Sequence, residues 1–394
     1  MAVLVLFLFK RGSRNNADNS RGKINYNKNI QQIFQFRLPD LDTANNLMIN
    51  LDIQHLESIK KKIVSILLSR KVLNKYKLFD LYHNITVDGT GVHSYDYEPY
   101  PECPYKTSKN GVKTWTSYVL EAKIVCSNGF SISIATEWVK NPITKDFDKQ
   151  DCEQKAFVRL SMKLKKDFPR LPICITADGL YPNNTVFNIC ENNNWKYIIT
   201  LKDGNLKSVW EEILFFDLVD AKIENTYATM KPNIRITEEY KGYQNIDYQT
   251  HSVNVVRTFI KSKSTKAEEK ASVLMFAHIT NFELSKLNLK EISTAGRLRW
   301  KIENEGFNEQ KNGGYNLKHK YSRKSFIATQ NYYQCLQIAH IINQLSHKSK
   351  IIKELIKGND TIISFEETAM SLLIAGDLEG NLPEFINLKC QMRY

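Results

Sequence analysis

The sequence predicts an α/β protein built on a mixed sheet flanked by helices, and three observations predict it. Ile173-Cys174-Ile175-Thr176-Ala177 is a continuous apolar run that ends on Asp178-Gly179, and a second such run at 197–201 stops before Lys202-Asp203-Gly204. Uninterrupted runs of this length belong to strands covered on both faces. Two β-rich runs, 117–126 and 130–139, are joined by Ser127-Asn128-Gly129, a hairpin signal. Helical segments at 151–168 and 184–192 fall between the later strands. The order strand, hairpin, helix, strand, helix, strand makes a mixed sheet with helices on its faces.

Taken in order, residues 2–9 (AVLVLFLF) are too short to span a bilayer. They lack a basic segment before them and a small-residue cleavage site after them, so they are no signal peptide. A buried helix is expected there, with its beginning cut away. Residues 10–29 are polar and are expected to form an exposed linker. Asp42 is the expected N-cap of a short helix reaching Leu51. A longer one follows from Gln54 to Leu73, with Leu56, Ile59, Ile63, Ile66 and Leu67 on one face and Lys60, Lys61, Lys62, Arg70 and Lys71 elsewhere. Such a basic helix either lies on DNA or packs on a neighbour.

Ile85-Thr86-Val87-Asp88 is expected as a strand that delivers Asp88 into a loop at Gly89-Thr90-Gly91, where small residues permit close approach. An excursion with Pro99, Pro101 and Pro104 leads to the hairpin. The helix at 151–168 buries Ala156, Phe157, Leu160 and Leu164, and Pro169 ends it. Residues 220–270 lack helical periodicity and are rich in Tyr, Thr, Val and Ile, which predicts a β-rich insertion including 234–240 and 252–260. A strand at 272–279 returns to the main domain, and a helix starts near Lys286. Helices at 332–345 and 365–374 close the core, with His340 a satisfied core histidine.

A chain of 394 residues exceeds one small core. The expected division is a mainly helical N-terminal region over 1–80, a catalytic domain over 81–219 resumed at 271–330, the insertion at 220–270, and helical closure at 331–394. Lys and Arg number 55 against 42 Asp and Glu, a net charge of +13 that points to a polyanion, nucleic acid ahead of a membrane surface. The seven cysteines are scattered without a CxxC pair. That pattern suggests neither a zinc site nor a disulfide framework, and reduced thiols fit it best.

The chemistry is concentrated in residues 296–323, GRLRWKIENEGFNEQKNGGYNLKHKYSR. Arg299, Ile302, Glu303, Gly306 and Phe307 have the spacing of one helix face. After Lys311 the helix is expected to break at Asn312-Gly313-Gly314, and Lys318, His319, Lys320, Arg323 and Lys324 follow. A buried carboxylate needs a cation or metal beside it. Either Arg299 simply neutralises Glu303 in a core-facing helix, or Glu303 joins Asp88 and Asp178 as a third acid. Three carboxylates on neighbouring strand ends and a crossing helix are what a pair of Mg²⁺ ions, roughly 4 Å apart, needs to cleave a phosphodiester. Glu305 is the rival third acid; two residues away, it lies on another face, and the Arg-x3-Glu spacing favours Glu303. His93 and Asp96 follow close on Asp88 and either assist it or, the favoured reading, are solvated loop residues; Trp115, Trp138 and Trp300 are core or base-stacking residues, with core favoured. Cys103, Cys126 and Cys152 with His93 match no zinc spacing.

VDGTGVHSYD (87–96), KTSKNGVKTW (106–115), LEAKIVCSNGFSISIATEW (120–138), LPICITADGLYPN (171–183), ITLKDGNL (199–206) and RWKIENEGFN (299–308) carry a likeness. From about Arg11 onward the chain resembles the DDE transposases of bacterial insertion sequences, whose catalytic domain has the ribonuclease-H-like fold. Families close to insertion sequence four carry a Tyr-x2-Arg-x3-Glu-x6-Lys signature. Arg299 and Glu303 fit it, whereas Gly296 stands at the tyrosine position and Gln310 at the lysine position, with Lys311 one step later. The resemblance implies that Asp88, Asp178 and Glu303 bind two Mg²⁺ ions, which Mn²⁺ replaces, and cut DNA at the element's ends before the freed 3′-hydroxyl attacks DNA. It implies phosphate contacts from Arg299, Lys311, Lys318, Lys320, Arg323 and Lys202. It further implies terminal inverted repeats and target DNA as partners, a homodimer in the synaptic complex, and a cytoplasmic, nucleoid-associated protein without membrane contact. A metal-dependent nuclease without strand transfer and a truncated, non-catalytic DNA-binding remnant are the alternatives.

Overall fold

Ten strands form one mixed sheet: β1 (His83–Tyr95), β2 (Tyr105–Thr107), β3 (Lys113–Val125), β4 (Ser131–Trp138), β5 (Ile173–Ala177), β6 (Lys196–Thr200), β7 (Ile223–Lys231), β8 (Ile234–Tyr248), β9 (His251–Ser264) and β10 (Ser272–Thr280). This computed structural model describes residues 1–141, 149–264, 272–323, 325–356 and 361–378. The strand order is β2-β3-β1-β5-β6-β10-β9-β8-β7, with β4 on β3. β5 runs parallel to both β1 and β6, while β3 and β4 are antiparallel, as are the strands from β6 through β10 to β7. The predicted α/β class and mixed sheet are therefore present. Residues 234–240 and 252–260 lie in β8 and β9, which extend the sheet beyond β10.

The chain divides into two compact units. One comprises Leu73–Thr90 and Val119–Glu303, the other Met1–Val72, Gly91–Tyr118 and Asn304–Tyr394. In the first, β5 is buried at every residue because helices cover the sheet. Cys174, Ile198, Val256, Leu284, Leu289 and Ile292 meet in one apolar cluster under the helix Leu289–Arg297. The helix Asn184–Asn192 is capped by Asn183, whose side chain accepts from the Val186 amide at 3.1 Å. Asn183→Ala removes that acceptor, and urea unfolding is expected to show a loss of about 1 kcal/mol.

β1 corrects one expectation. It does not release Asp88 into a loop but continues through Gly89-Thr90-Gly91 to Tyr95. Glycine serves the strand at Gly91, where a Cβ would stand 3.1 Å from Thr116 Cγ2. What ends after Val87 is the pairing with β5, so Asp88 still emerges where the neighbouring strand stops.

The second unit is mainly helical, with Ala2–Leu8, Arg14–Arg21, Ile24–Phe34, Leu41–Asn50, Ile53–Ser69, Phe326–His347, Lys350–Leu355 and Ile362–Ala375. The first of these is buried as predicted. Residues 10–29 are no linker: Ser13 caps a helix at the Asn16 amide, and Ala17, Tyr26, Asn29 and Ile30 are buried. Sparse apolar residues hid this, since buried Asn29 is polar and is held through its Nδ2, which donates to the carbonyls of Leu373 and Gly376. Asp40, not Asp42, caps Leu41–Asn50 through the Thr43 amide, and Asp42 pairs with Arg14. Lys60, expected at the surface, is buried. His340 is the satisfied core histidine that was expected, bonded to Gln310 and Glu309. Among the described residues no helix is long and apolar enough to cross a membrane. Cys390, Lys324, residues 265–270 of the insertion and the tail of the C-terminal closure lie outside the described residues.

Candidate active site

Asp88 and Asp178 come together because of strand register. β1 and β5 are parallel, with Thr86 opposite Thr176 and Val87 opposite Ala177, so the next residue on each strand is an aspartate. Side chains alternate along a strand, which puts Asn84, Thr86 and Asp88 on one face. On that face the Thr86 and Thr176 hydroxyls lie 2.7 Å apart, and Thr176 donates to Asn84 Oδ1 at 2.7 Å. All three are buried. A one-residue slip of either strand would break this chain and put its aspartate on the face opposite the other, so the network holds the register that pairs them.

Each aspartate is anchored by a backbone amide just beyond it. Asp88 Oδ1 accepts from the Gly89 amide and Asp178 Oδ1 from the Leu180 amide, both at 2.9 Å. Each has a cation beside its second oxygen. Lys202 Nζ lies 3.3 Å from Asp178 Oδ2, and Arg299 Nη1 lies 3.8 Å from Asp88 Oδ2. Lys202 reaches Asp178 by crossing Gly179, where a Cβ would stand 2.6 Å from Lys202 Cγ. The Arg299 contact replaces the expected pairing with Glu303.

The reason lies in the helix around Glu303. Residues Ile302–Asn308 form a π-helix, not the α-helix the spacing predicts. Its wider turn shifts every later side chain around the axis. Ile302, Gly306 and Phe307 are buried, whereas Glu303 is exposed and Glu305 half-buried. Among the described residues Glu303 makes no ion pair or hydrogen bond. The helix then ends at Asn312 with Gly313 beyond it, as predicted.

The structure thus gathers Asp88, Asp178, Lys202 and Arg299. The other predicted phosphate contacts belong to the helical unit. There Lys318 and Arg323 are exposed, the Lys320 ammonium lies 4.2 Å from the centre of the Tyr95 ring, and that of Lys311 lies 5.8 Å from the Phe307 ring. His93 is a buried strand residue, not a loop residue; its Nε2 is 2.9 Å from the His319 carbonyl, and burial pushes its pKa down to about 4. Asp96 is exposed. Trp138 is core as expected and Trp115 half-buried, but Trp300 is 54% exposed, with the Arg299 guanidinium 5.6 Å from its ring centre. Cys103, Cys126 and Cys152 are buried thiols outside any disulfide.

Two neighbours of the pair escaped sequence reasoning. Tyr181 is fully buried and donates to Glu153 Oε2 at 3.2 Å. Burial first, and then the carboxylates of Glu153, Asp88 and Asp178, hold its phenol well above the ordinary range, so it stays protonated. A signal for Glu153 was present: at 153, 156, 157, 160 and 164 it continues the apolar stripe of its helix, where a charge requires a partner.

Two hard carboxylates at adjoining strand ends suit Mg²⁺, which is commonly held by one or two carboxylates while water and substrate phosphates complete its shell. A two-ion set needs a third acid, and among the described residues no group of three His, Cys, Asp or Glu side chains is placed so that it could hold a metal ion. No protein-family model matches the chain, and no curated protein matches it.

Proposed function

We propose that this chain is a metal-dependent DNA-cleaving enzyme, a DDE transposase with a ribonuclease-H-like catalytic domain. The observation that carries this reading is the carboxylate pair Asp88 and Asp178 on adjoining parallel strands, each beside a cation, Arg299 and Lys202. The net charge of +13 suits a polyanionic substrate.

In this reading Asp88 and Asp178 hold a divalent cation, Mg²⁺ or Mn²⁺. When bound, such an ion acidifies water and stabilises charge on the phosphoryl oxygens. The chain's own cations bind and orient the strand. Arg299 presents a planar fork that matches phosphate oxygens, and Lys202 supplies a point charge. Tyr181, kept protonated, feels the charge of both aspartates and donates its phenol proton to Glu153. Glu303 is the third acid of this reading: it is exposed, has no ion pair or hydrogen bond among the described residues, and follows by four residues the arginine that touches Asp88. Terminal repeats and target DNA are the proposed partners, engaged by a homodimer.

The test is cleavage of labelled DNA carrying the element's flanking ends, in Mg²⁺ or Mn²⁺, with wild type beside Glu303→Gln and Glu305→Gln. Nicking is expected to fall roughly 10³-fold in Glu303→Gln and to persist in Glu305→Gln. Glu303→Gln cutting as well as wild type would remove Glu303 from the site. Nicking without joined products would move the reading to a metal-dependent nuclease, and binding without nicking to a DNA-binding remnant.

A further inference from the structure

Glu153 is a costly residue where it stands. Its helix, Lys149–Asp167, buries Ala156, Phe157, Leu160 and Leu164, and Glu153 lies on the same stripe, 2% exposed. A leucine would fill that place without the cost of burying a carboxylate. Glu153 Oε2 accepts from the Tyr181 phenol at 3.2 Å. The Tyr181 ring is itself buried and meets Phe157 of the same helix edge-on, with centroids 5.7 Å apart. The helix therefore grips Tyr181 twice, by packing and by a buried hydrogen bond.

Tyr181 closes the turn that begins at Asp178. Its amide donates to the Asp178 carbonyl at 3.2 Å, while the Leu180 amide donates to Asp178 Oδ1 at 2.9 Å. Asn205 Nδ2 donates to the Gly179 carbonyl, and Lys202 lies beside Asp178 Oδ2. The turn is thus fastened to the segment after β6 at Asp178 and Gly179, and to the helix before β5 at Tyr181. Among the described residues no three His, Cys, Asp or Glu side chains are placed to hold a metal ion, so Glu153 is no ligand alongside Asp88 and Asp178. Its route to them is the Tyr181 phenol. Groups that orient a metal ligand from one step back change affinity by about tenfold to a hundredfold when removed.

We propose that Glu153 is a positioning residue of the metal site: through Tyr181 it ties the Asp178 turn to its helix and so fixes the Asp178 carboxylate for a divalent cation. The proposal rests on the DNA-cleaving reading for the use of that cation. Its geometry does not depend on that reading.

The experiment is titration of the full chain with Mn²⁺ alone, without DNA, read by electron paramagnetic resonance of the free ion, with urea unfolding of the same samples. Asp178→Asn identifies the binding that belongs to the pair. Tyr181→Phe keeps the ring against Phe157 and removes the hydroxyl, and is expected to bind Mn²⁺ about tenfold more weakly. Glu153→Gln keeps an oxygen that accepts from Tyr181 and is expected to bind as wild type does. Glu153→Leu combined with Tyr181→Phe removes both partners of the bond at once, which leaves stability near that of wild type but lowers affinity about tenfold. This double variant decides the matter if Tyr181→Phe does not fold. A bond that served stability alone would leave affinity in the double variant unchanged, and that result overturns the proposal. A loss in Glu153→Gln as large as in the double variant overturns it too, by assigning the effect to charge. So does wild-type Mn²⁺ binding that ignores Asp178→Asn. Weaker Mn²⁺ binding in the variants, beside a wild type that cuts no DNA, keeps the positioning role and removes the cleavage reading; cleavage with unchanged Mn²⁺ affinity does the reverse.

Discussion

Asp178→Asn is expected, on the proposed DNA-cleaving reading, to lower metal-dependent nicking roughly 10³-fold while the protein remains folded. The amide oxygen can still accept from the Leu180 amide, which Asp178 Oδ1 does now at 2.9 Å, so the turn after β5 is preserved. Its NH₂ group, however, faces Lys202, whose ammonium lies 3.3 Å from Oδ2. The variant thus loses a hard anionic ligand and sets two donors against each other. Because Lys202 is 54% exposed, water takes over its solvation and the fold loses little. Single-turnover nicking in Mg²⁺, with circular dichroism on the same samples, reads both halves. Cleavage within tenfold of wild type would show that this carboxylate holds no essential cation.

Phe187→Ala is expected to cost about 3–5 kcal/mol of stability. Phe187 lies on the helix after Asp178 and is fully buried. Its ring stacks on Tyr197 of β6 with centroids 4.9 Å apart, and meets Tyr248 and His251 edge-on at 5.8 and 5.5 Å. These aromatic pairs add to the burial term. Truncation leaves a cavity that neither β6 nor the β8–β9 turn can collapse into, since each is held by its ladder. Urea unfolding should show a lower midpoint with an unchanged slope. Phe187→Leu should recover much of the loss. A change under 1 kcal/mol in Phe187→Ala would mean that the site repacks, contrary to the account of dense packing around β6.

Local chemistry was legible wherever it is written in consecutive residues. The apolar run 173–177, the Ser127-Asn128-Gly129 hairpin and the stop at Asn312-Gly313 each appear where their sequence places them. Periodicity failed where tertiary contacts satisfy polar groups. Asn29, buried between helices, gives no apolar signal, and what holds it there is donation from its Nδ2 to the carbonyls of distant residues 373 and 376. It failed again at Glu303, where a single π turn undoes spacing that assumes 3.6 residues per turn.

By itself, the sequence determined the strands that carry Asp88 and Asp178, the cationic excess, and the candidate acids, since each follows from residue type and short-range pattern. Only the tertiary structure decided that the two aspartates are neighbours, that Arg299 serves Asp88 in place of Glu303, and that Tyr181 bonds Glu153. Those facts depend on register and on residues far apart in the chain. Such contacts are set by packing a whole sheet at once, a property no window of sequence contains.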